Sequence, residues 1–185
     1  MKRMLIALFI ALLLPTAASA KNSLYAEELN HITADKLEPH FQLFAPYKLT
    51  KYVGLYSWVS AHWDWAEIVN GLILSPTPAI ELGVAGGVES ADNLWRINTF
   101  LWMGNEKGYV LGMWESGASG FSYNLEGSCQ VLSWLGAGFF AKSKMGFGPR
   151  VQFNIPKKNV MLYVAPLYNS ESKNFGGVVG FRFGP

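Results

Sequence analysis

The chain has 185 residues, of which 50% are apolar and 15% charged, with 15 Lys and Arg against 13 Asp and Glu; an ordinary soluble domain carries about 25% charged residues. The length suits one domain, and the apolar content excludes a disordered chain. The single cysteine, Cys129, excludes a disulfide framework and any thiolate-rich zinc site.

Lys2 and Arg3 precede an apolar run from Met4 to Leu14, Pro15 interrupts it, and Ala18-Ser19-Ala20 follows. A positive start, a short apolar stretch and a small-residue cleavage site, in that order, make a secretory signal peptide over residues 1–20. The run is too short to span a bilayer as a helix, which takes about 20 residues. Cleavage after Ala20 removes Lys2 and Arg3 from the 15 basic residues and leaves 13 basic against 13 acidic groups. With no net charge and no basic face, nucleic acid is excluded as a partner. No later segment holds 18 consecutive apolar residues, so no membrane-spanning helix is expected.

Residues 21–46 read as a leader carrying a short helix over Asn22–Leu37. Asn22 or Ser23 can cap it, Glu27 and Glu28 fall in its early turns, and Pro39 ends it. Tyr25, Leu29 and Ile32 make a narrow apolar stripe, which suits either a helix lying on a membrane or a plug packed on the fold. His31 and His40 sit in this leader without the spacing of a metal site and read as solvated.

From residue 47 to 185 the period becomes two. In Phe147–Ile155 the odd positions are Phe147, Pro149, Val151, Phe153 and Ile155, against Gly148, Arg150, Gln152 and Asn154. Phe121–Val131, Trp95–Met103 and Phe175–Phe183 repeat the alternation, although Phe100 and Trp102 fall on a polar face. Such runs are strands with one apolar and one polar side. Turn signals recur between them, as at Ser75–Pro78, Gly104–Gly108 and Asn169–Asn174. The expected fold is all-β: a single antiparallel up-and-down β-barrel of about 8–10 strands between Tyr52 and Phe183, preceded by the short N-terminal helix. Between Gly120 and Ala141 the break falls near either Gly127 or Ser133.

Two barrels share this alternation. A lipocalin-like barrel holds its apolar face inside, whereas an outer-membrane barrel turns it to lipid. Here most Lys residues sit at turns, and the polar faces carry Gly, Ser, Asn and Gln with isolated charges: Arg96, Arg150 and Arg182 against Glu81 and Glu126. A water-facing strand would carry more Lys, Glu and Thr. Aromatic residues recur near strand ends (Trp58, Trp63, Trp65, Trp95, Tyr109, Trp114, Tyr123 and Tyr168), as in the aromatic girdles of membrane barrels. The five charged residues are therefore the candidate lumen network.

The signal peptide together with Tyr52–Phe183 resembles the small Gram-negative outer-membrane β-barrel proteins. The most specific part is the final run Phe175-Gly176-Gly177-Val178-Val179-Gly180-Phe181-Arg182-Phe183. Proteins of that class end on an alternating strand with a terminal aromatic, read by the barrel-assembly machinery; here Gly184-Pro185 follow Phe183. The resemblance is to an architecture. It implies a monomer in outer-membrane lipid, with no cofactor and no metal, and it carries over no catalytic residue.

One reaction is conceivable from the residues. Ser60, His62 and Asp64 alternate along a strand end, and a serine, a base and an orienting acid could cleave or transfer an acyl group. Side chains two apart on a strand stand about 6.6 Å apart, too far for a direct hydrogen bond, and a polar hairpin tip explains the same residues. Three functions follow: a structural, interaction or narrow-pore barrel of the outer membrane; an outer-membrane lipid-modifying acyl hydrolase or transferase; and a periplasmic lipocalin-like barrel with an apolar ligand.

Overall fold

The computed structural model describes residues 24–91, 94–155 and 159–184; the expected signal peptide lies outside them. Twelve strands follow in order: β1 Tyr25–Ile32, β2 Leu37–Lys48, β3 Val53–Ala61, β4 Ala66–Thr77, β5 Ile80–Glu89, β6 Trp95–Asn105, β7 Gly108–Gly117, β8 Gly120–Leu132, β9 Leu135–Lys142, β10 Gly146–Ile155, β11 Val160–Asn169 and β12 Asn174–Phe183. Each pairs antiparallel with its neighbours in sequence, and β1 closes the ring on β12, from Ala26 opposite Phe183 to Ile32 opposite Gly177. Closure leaves no strand edge unpaired.

Ten strands, β3–β12, fall between Tyr52 and Phe183, at the upper end of the expected count. The other two come from the leader, and they correct the expectation of a helix over Asn22–Leu37. Residues 25–32 are strand, and the barrel begins near residue 25 rather than 47. Tyr25, Glu27, Leu29 and His31 face inward, and Ala26, Glu28, Asn30 and Ile32 face outward. Neither face is purely apolar, so hydropathy does not alternate, and Tyr25-Leu29-Ile32 mimics a helical stripe by coincidence. What decides the matter is non-local. Along its length β1 supplies the ladder partners of both β2 and β12, and a helix there would leave two open edges in lipid, where unpaired backbone groups have no water to turn to.

The prolines sit where the ladders lapse. Pro39 lies beyond the β2–β3 pairing, which starts at Phe41–Ala61, and Pro46 lies beyond the β1–β2 pairing, which ends at Tyr25–Phe44. Between β10 and β11 the register skips from Phe147–Tyr168 to Val151–Val164, a gap that holds Pro149 and Pro166. A residue without an N–H is tolerated in a sheet only where no ladder bond is asked of it. The ambiguous break between Gly120 and Ala141 falls at Ser133-Trp134.

The faces are inverted relative to a soluble barrel. Arg150 and Glu126 are 1% exposed, whereas Phe147 is 58% and Phe175 79% exposed. The wall is apolar outside, with Leu72, Leu82, Val84, Val110, Val151 and Val164 among its exposed residues. Large exposed aromatics ring both ends: Tyr47, Tyr52, Trp134 and Phe183 at the end carrying the termini, and Trp63, Trp95, Phe121, Phe147 and Phe175 at the other. This is a membrane barrel's distribution, and it removes the lipocalin-like reading, which needs the opposite orientation. Trp58, Trp65 and Tyr109 depart from the expected girdles, because each directs its polar atom at a carboxylate inside.

Candidate functional site

Among the described residues, the clustered ionisable side chains lie inside the barrel or at its mouths. The polar parity of the strands delivers charged side chains to the lumen, where burial obliges them to pair. They form two separate networks.

The mid-lumen network centres on Glu126 of β8. Its carboxylate takes Arg182 Nη2 at 2.8 and 3.1 Å and Tyr109 OH at 3.3 Å, and it pairs with Arg150 Nη1. Arg182 also reaches Glu27 of β1, with Nε donating at 3.1 Å. Arg150 lies 3.9 Å over the Tyr163 ring and Arg182 5.0 Å over Tyr25. Five strands, β1, β7, β8, β10 and β12, are thus tied across the interior.

The second network lies toward the mouth opposite the termini. Arg96 of β6 meets Glu67 at 2.6 Å, Glu115 at 3.0 Å and Glu89 at 3.4 Å. The Glu67 contact is ionic, without the angle of a hydrogen bond. Trp58 Nε1 donates to Glu67 and Trp65 Nε1 to Glu89, both at 3.1 Å. Asn98 links this group inward: its amide donates to Glu115 at 3.0 Å and its carbonyl accepts from Tyr56 OH at 2.8 Å.

Apolar side chains fill the space between. Tyr56, Trp58, Val69, Ile73, Phe100 and Met113 form one buried cluster, and Leu29, Phe140, Tyr163, Leu167 and Val178 another. Phe100 stands edge-on to Tyr56 and Phe44, with centroids 5.1 and 5.8 Å apart. Below this floor, at the end carrying the termini, opens a cavity of about 340 Å³ lined by Tyr25, Phe44, Lys48, Glu81, Trp102 and Leu111 among others.

Of the five residues expected in one lumen network, the structure brings Arg150, Arg182 and Glu126 together. Arg96 forms its own group, and Glu81 sits apart on the cavity rim, 3.5 Å from Lys48 and from Ser75 Oγ. The carboxylates that sequence reasoning missed are Glu27, Glu67, Glu89 and Glu115. Glu27 reads as helical from its sequence, and the others fall at strand ends or turn signals, where a charge reads as solvated. Their inward parity was the available signal.

Ser60 faces inward and is buried, but its partner is not His62. Its hydroxyl donates to His40 Nε2 at 2.6 Å in the tautomer that leaves that nitrogen unprotonated. His62 Nδ1 instead meets Asp64 at 3.1 Å in the exposed β3–β4 turn, and this bond holds the Asp64 carboxyl below its usual range. His40, expected to be solvated, is half-buried, with the His62 ring 6.0 Å and the Trp65 ring 6.5 Å away. Among the described residues, no group of three or more His, Cys, Asp or Glu is placed to hold a metal.

No family model matches the chain, and no curated protein matches it. Solved structures do. A KdgM porin superposes with a TM-score of 0.59 at 13% identity, covering 86% of this chain and 98% of that one. A KdgM porin in complex with disordered oligogalacturonate gives 0.58 at 13% over 86% and 98%. A NanC porin gives 0.50 at 6% over 85% and 97%. The fold is the outer-membrane porin fold. At such identity the likeness extends to the backbone, and the lumen side chains have to be read for themselves.

Proposed function

We propose that this chain is an outer-membrane barrel with a narrow, normally closed lumen, which admits small neutral or cationic solutes rather than polyanions. The observation that carries this reading is the buried layer at mid-height. Arg150, Glu126, Asn98, Tyr163, Phe140 and Leu29 are essentially inaccessible, whereas the walls of a water-filled channel stay wet. Passage therefore requires the Glu126 node and the aromatic floor to rearrange.

Charge sets the preference. One of the similar porins is in complex with disordered oligogalacturonate, a polyanion. Here one guanidinium faces three carboxylates near the mouth opposite the termini, an excess of acid over base within that group. An excess of one sign of charge at a mouth concentrates the opposite ion and repels its own.

Conductance in planar bilayers tests this. The wild-type barrel should show small, intermittent conductance and a cation-selective reversal potential in a KCl gradient, and Arg150→Ala should raise the conductance. A large, steady, anion-selective conductance from the wild-type protein would overturn the proposal.

A further inference from the structure

We propose that Ser60 and His40 form a nucleophile–base pair that cleaves carboxylic esters near the mouth opposite the termini, an activity separate from any passage through the lumen. The geometry is that of an activated serine. Ser60 Oγ and His40 Nε2 are 2.6 Å apart, within the roughly 2.6–3.2 Å over which a general base takes a proton. The register explains how they meet. Ser60 is opposite Gln42, and the β2–β3 ladder ends one pair further, at Phe41–Ala61. His40 lies just past that end and reaches back diagonally on the inward face.

The surroundings suit the reaction. His40 and His62 stand 6.0 Å apart and Trp65 presents its edge to His40 at 6.5 Å, which places an apolar ring beside the pair for the acyl part of an ester. Lys142 lies within electrostatic reach of His40, so a cationic group is at hand beside the pair to favour developing negative charge. Glu38 is engaged by His31 and Asp64 by His62, so the pair acts as a dyad.

The steps balance. His40 Nε2 takes the Ser60 proton as Oγ bonds to the ester carbonyl carbon. The carbon–alkoxy bond then breaks, and the departing alkoxide takes that proton from His40 and leaves as the alcohol. Water attacks the acyl-serine, giving a proton to His40; the carboxylic acid departs, and His40 returns the proton to Ser60 Oγ.

The test uses the full-length barrel refolded in detergent, with folding checked by heat-modifiable gel mobility, and a fluorophosphonate probe that reacts only with activated serines. Folded wild-type protein should be labelled, and peptide mapping should place the label on Ser60. Ser60→Ala should abolish labelling, His40→Gln should slow it by about 10²-fold, and His62→Gln should change it by no more than about threefold. An unlabelled but folded wild-type barrel, labelling that survives Ser60→Ala, or His62→Gln matching His40→Gln would each overturn the proposal. p-Nitrophenyl butyrate and micellar dioleoylphosphatidylcholine then separate soluble from lipid esters; hydrolysis of either supports the activity, and hydrolysis of neither sinks it. Bilayer conductance is blind to all of these outcomes, so failure here leaves the closed-lumen reading standing, and the reverse holds too.

Discussion

Glu126→Gln removes one charge and almost no volume from the most heavily bonded carboxylate in the lumen. Its two guanidinium partners do not suffer equally. Arg182 keeps Glu27 at 2.9 Å. Arg150, itself 1% exposed, keeps among the described residues the Tyr163 face at 3.9 Å and Met161 Sδ at 3.2 Å, neither of which neutralises it. Removing one partner of a buried ion pair costs about 3–5 kcal/mol, because the remaining charge stays desolvated, so most of the loss should trace to Arg150. Adding Arg150→Met should recover part of it, and the double variant should be less destabilised than the sum of the singles by about 0.5–3 kcal/mol. Urea unfolding of the barrel in lipid vesicles, followed by tryptophan fluorescence, reads these differences. Glu81→Gln is the control: Lys48 is 3.5 Å away with its side chain 60% exposed, a setting in which a pair contributes about 0–1 kcal/mol. If Glu126→Gln also cost less than about 1 kcal/mol, Arg150 would be hydrated and the lumen would not be closed.

Two further outcomes follow from the wall. Val151 faces lipid near the middle of β10, and Phe153 lies toward the end of that strand, stacked on Trp134 with centroids 6.3 Å apart; Val151→Arg should cost about 2–4 kcal/mol and Phe153→Arg markedly less, since the penalty falls to about 0–1 kcal/mol near the interface. Equal costs in vesicle unfolding would contradict this placement in the bilayer. Gly180 seats the Tyr163 ring, whose atoms stand 2.1–2.4 Å from where a Cβ would be, whereas nothing lies within 4 Å of that position at Gly86. Gly180→Ala should destabilise the barrel by about 1–3 kcal/mol through overpacking, with Gly86→Ala close to neutral; unfolding midpoints that fail to separate the two would refute the seating.

Strands were legible where one face was uniformly apolar. Phe147–Ile155 and Phe121–Val131 alternate without exception, because lipid demands apolar residues at every outward position. The same demand sorts Arg96, Arg150 and Arg182 to the inside from sequence parity alone. β1 escaped because it breaks the rule on both faces: Glu28 and Asn30 face outward, hydrogen-bonded to each other at 3.2 Å, and Leu29 faces inward. Its identity as a strand rests on a ladder with β12, from Ala26 to Phe183, that no local pattern encodes. The Ser60–His40 contact was hidden for the same reason. Spacing along one strand made His62 the natural partner, but side chains two apart on a strand do not meet, whereas neighbours across a ladder do. Recognising that His40 was such a neighbour required knowing that residues 37–48 form a strand.

The superposition on porins and the contents of the lumen point in different directions, and the side chains decide between them. A backbone shared at 13% identity fixes the barrel's girth and closure but leaves open what the inward positions hold. In this chain they hold apolar clusters and two ion networks whose members are too buried to be solvated. Filling a lumen this way costs desolvation, and the cost is offset only if each charge keeps its partners. On the proposed closed-lumen reading, conduction depends on the Glu126 node: a solute would cross mid-height only while Arg150 or Arg182 is paired elsewhere. The His40–Ser60 contact has no such dependence. It lies at the end of a ladder near the mouth and shares no hydrogen bond with the Glu126 group. The two activities should therefore separate by mutation, with Glu126 variants moving conductance and leaving serine labelling unchanged.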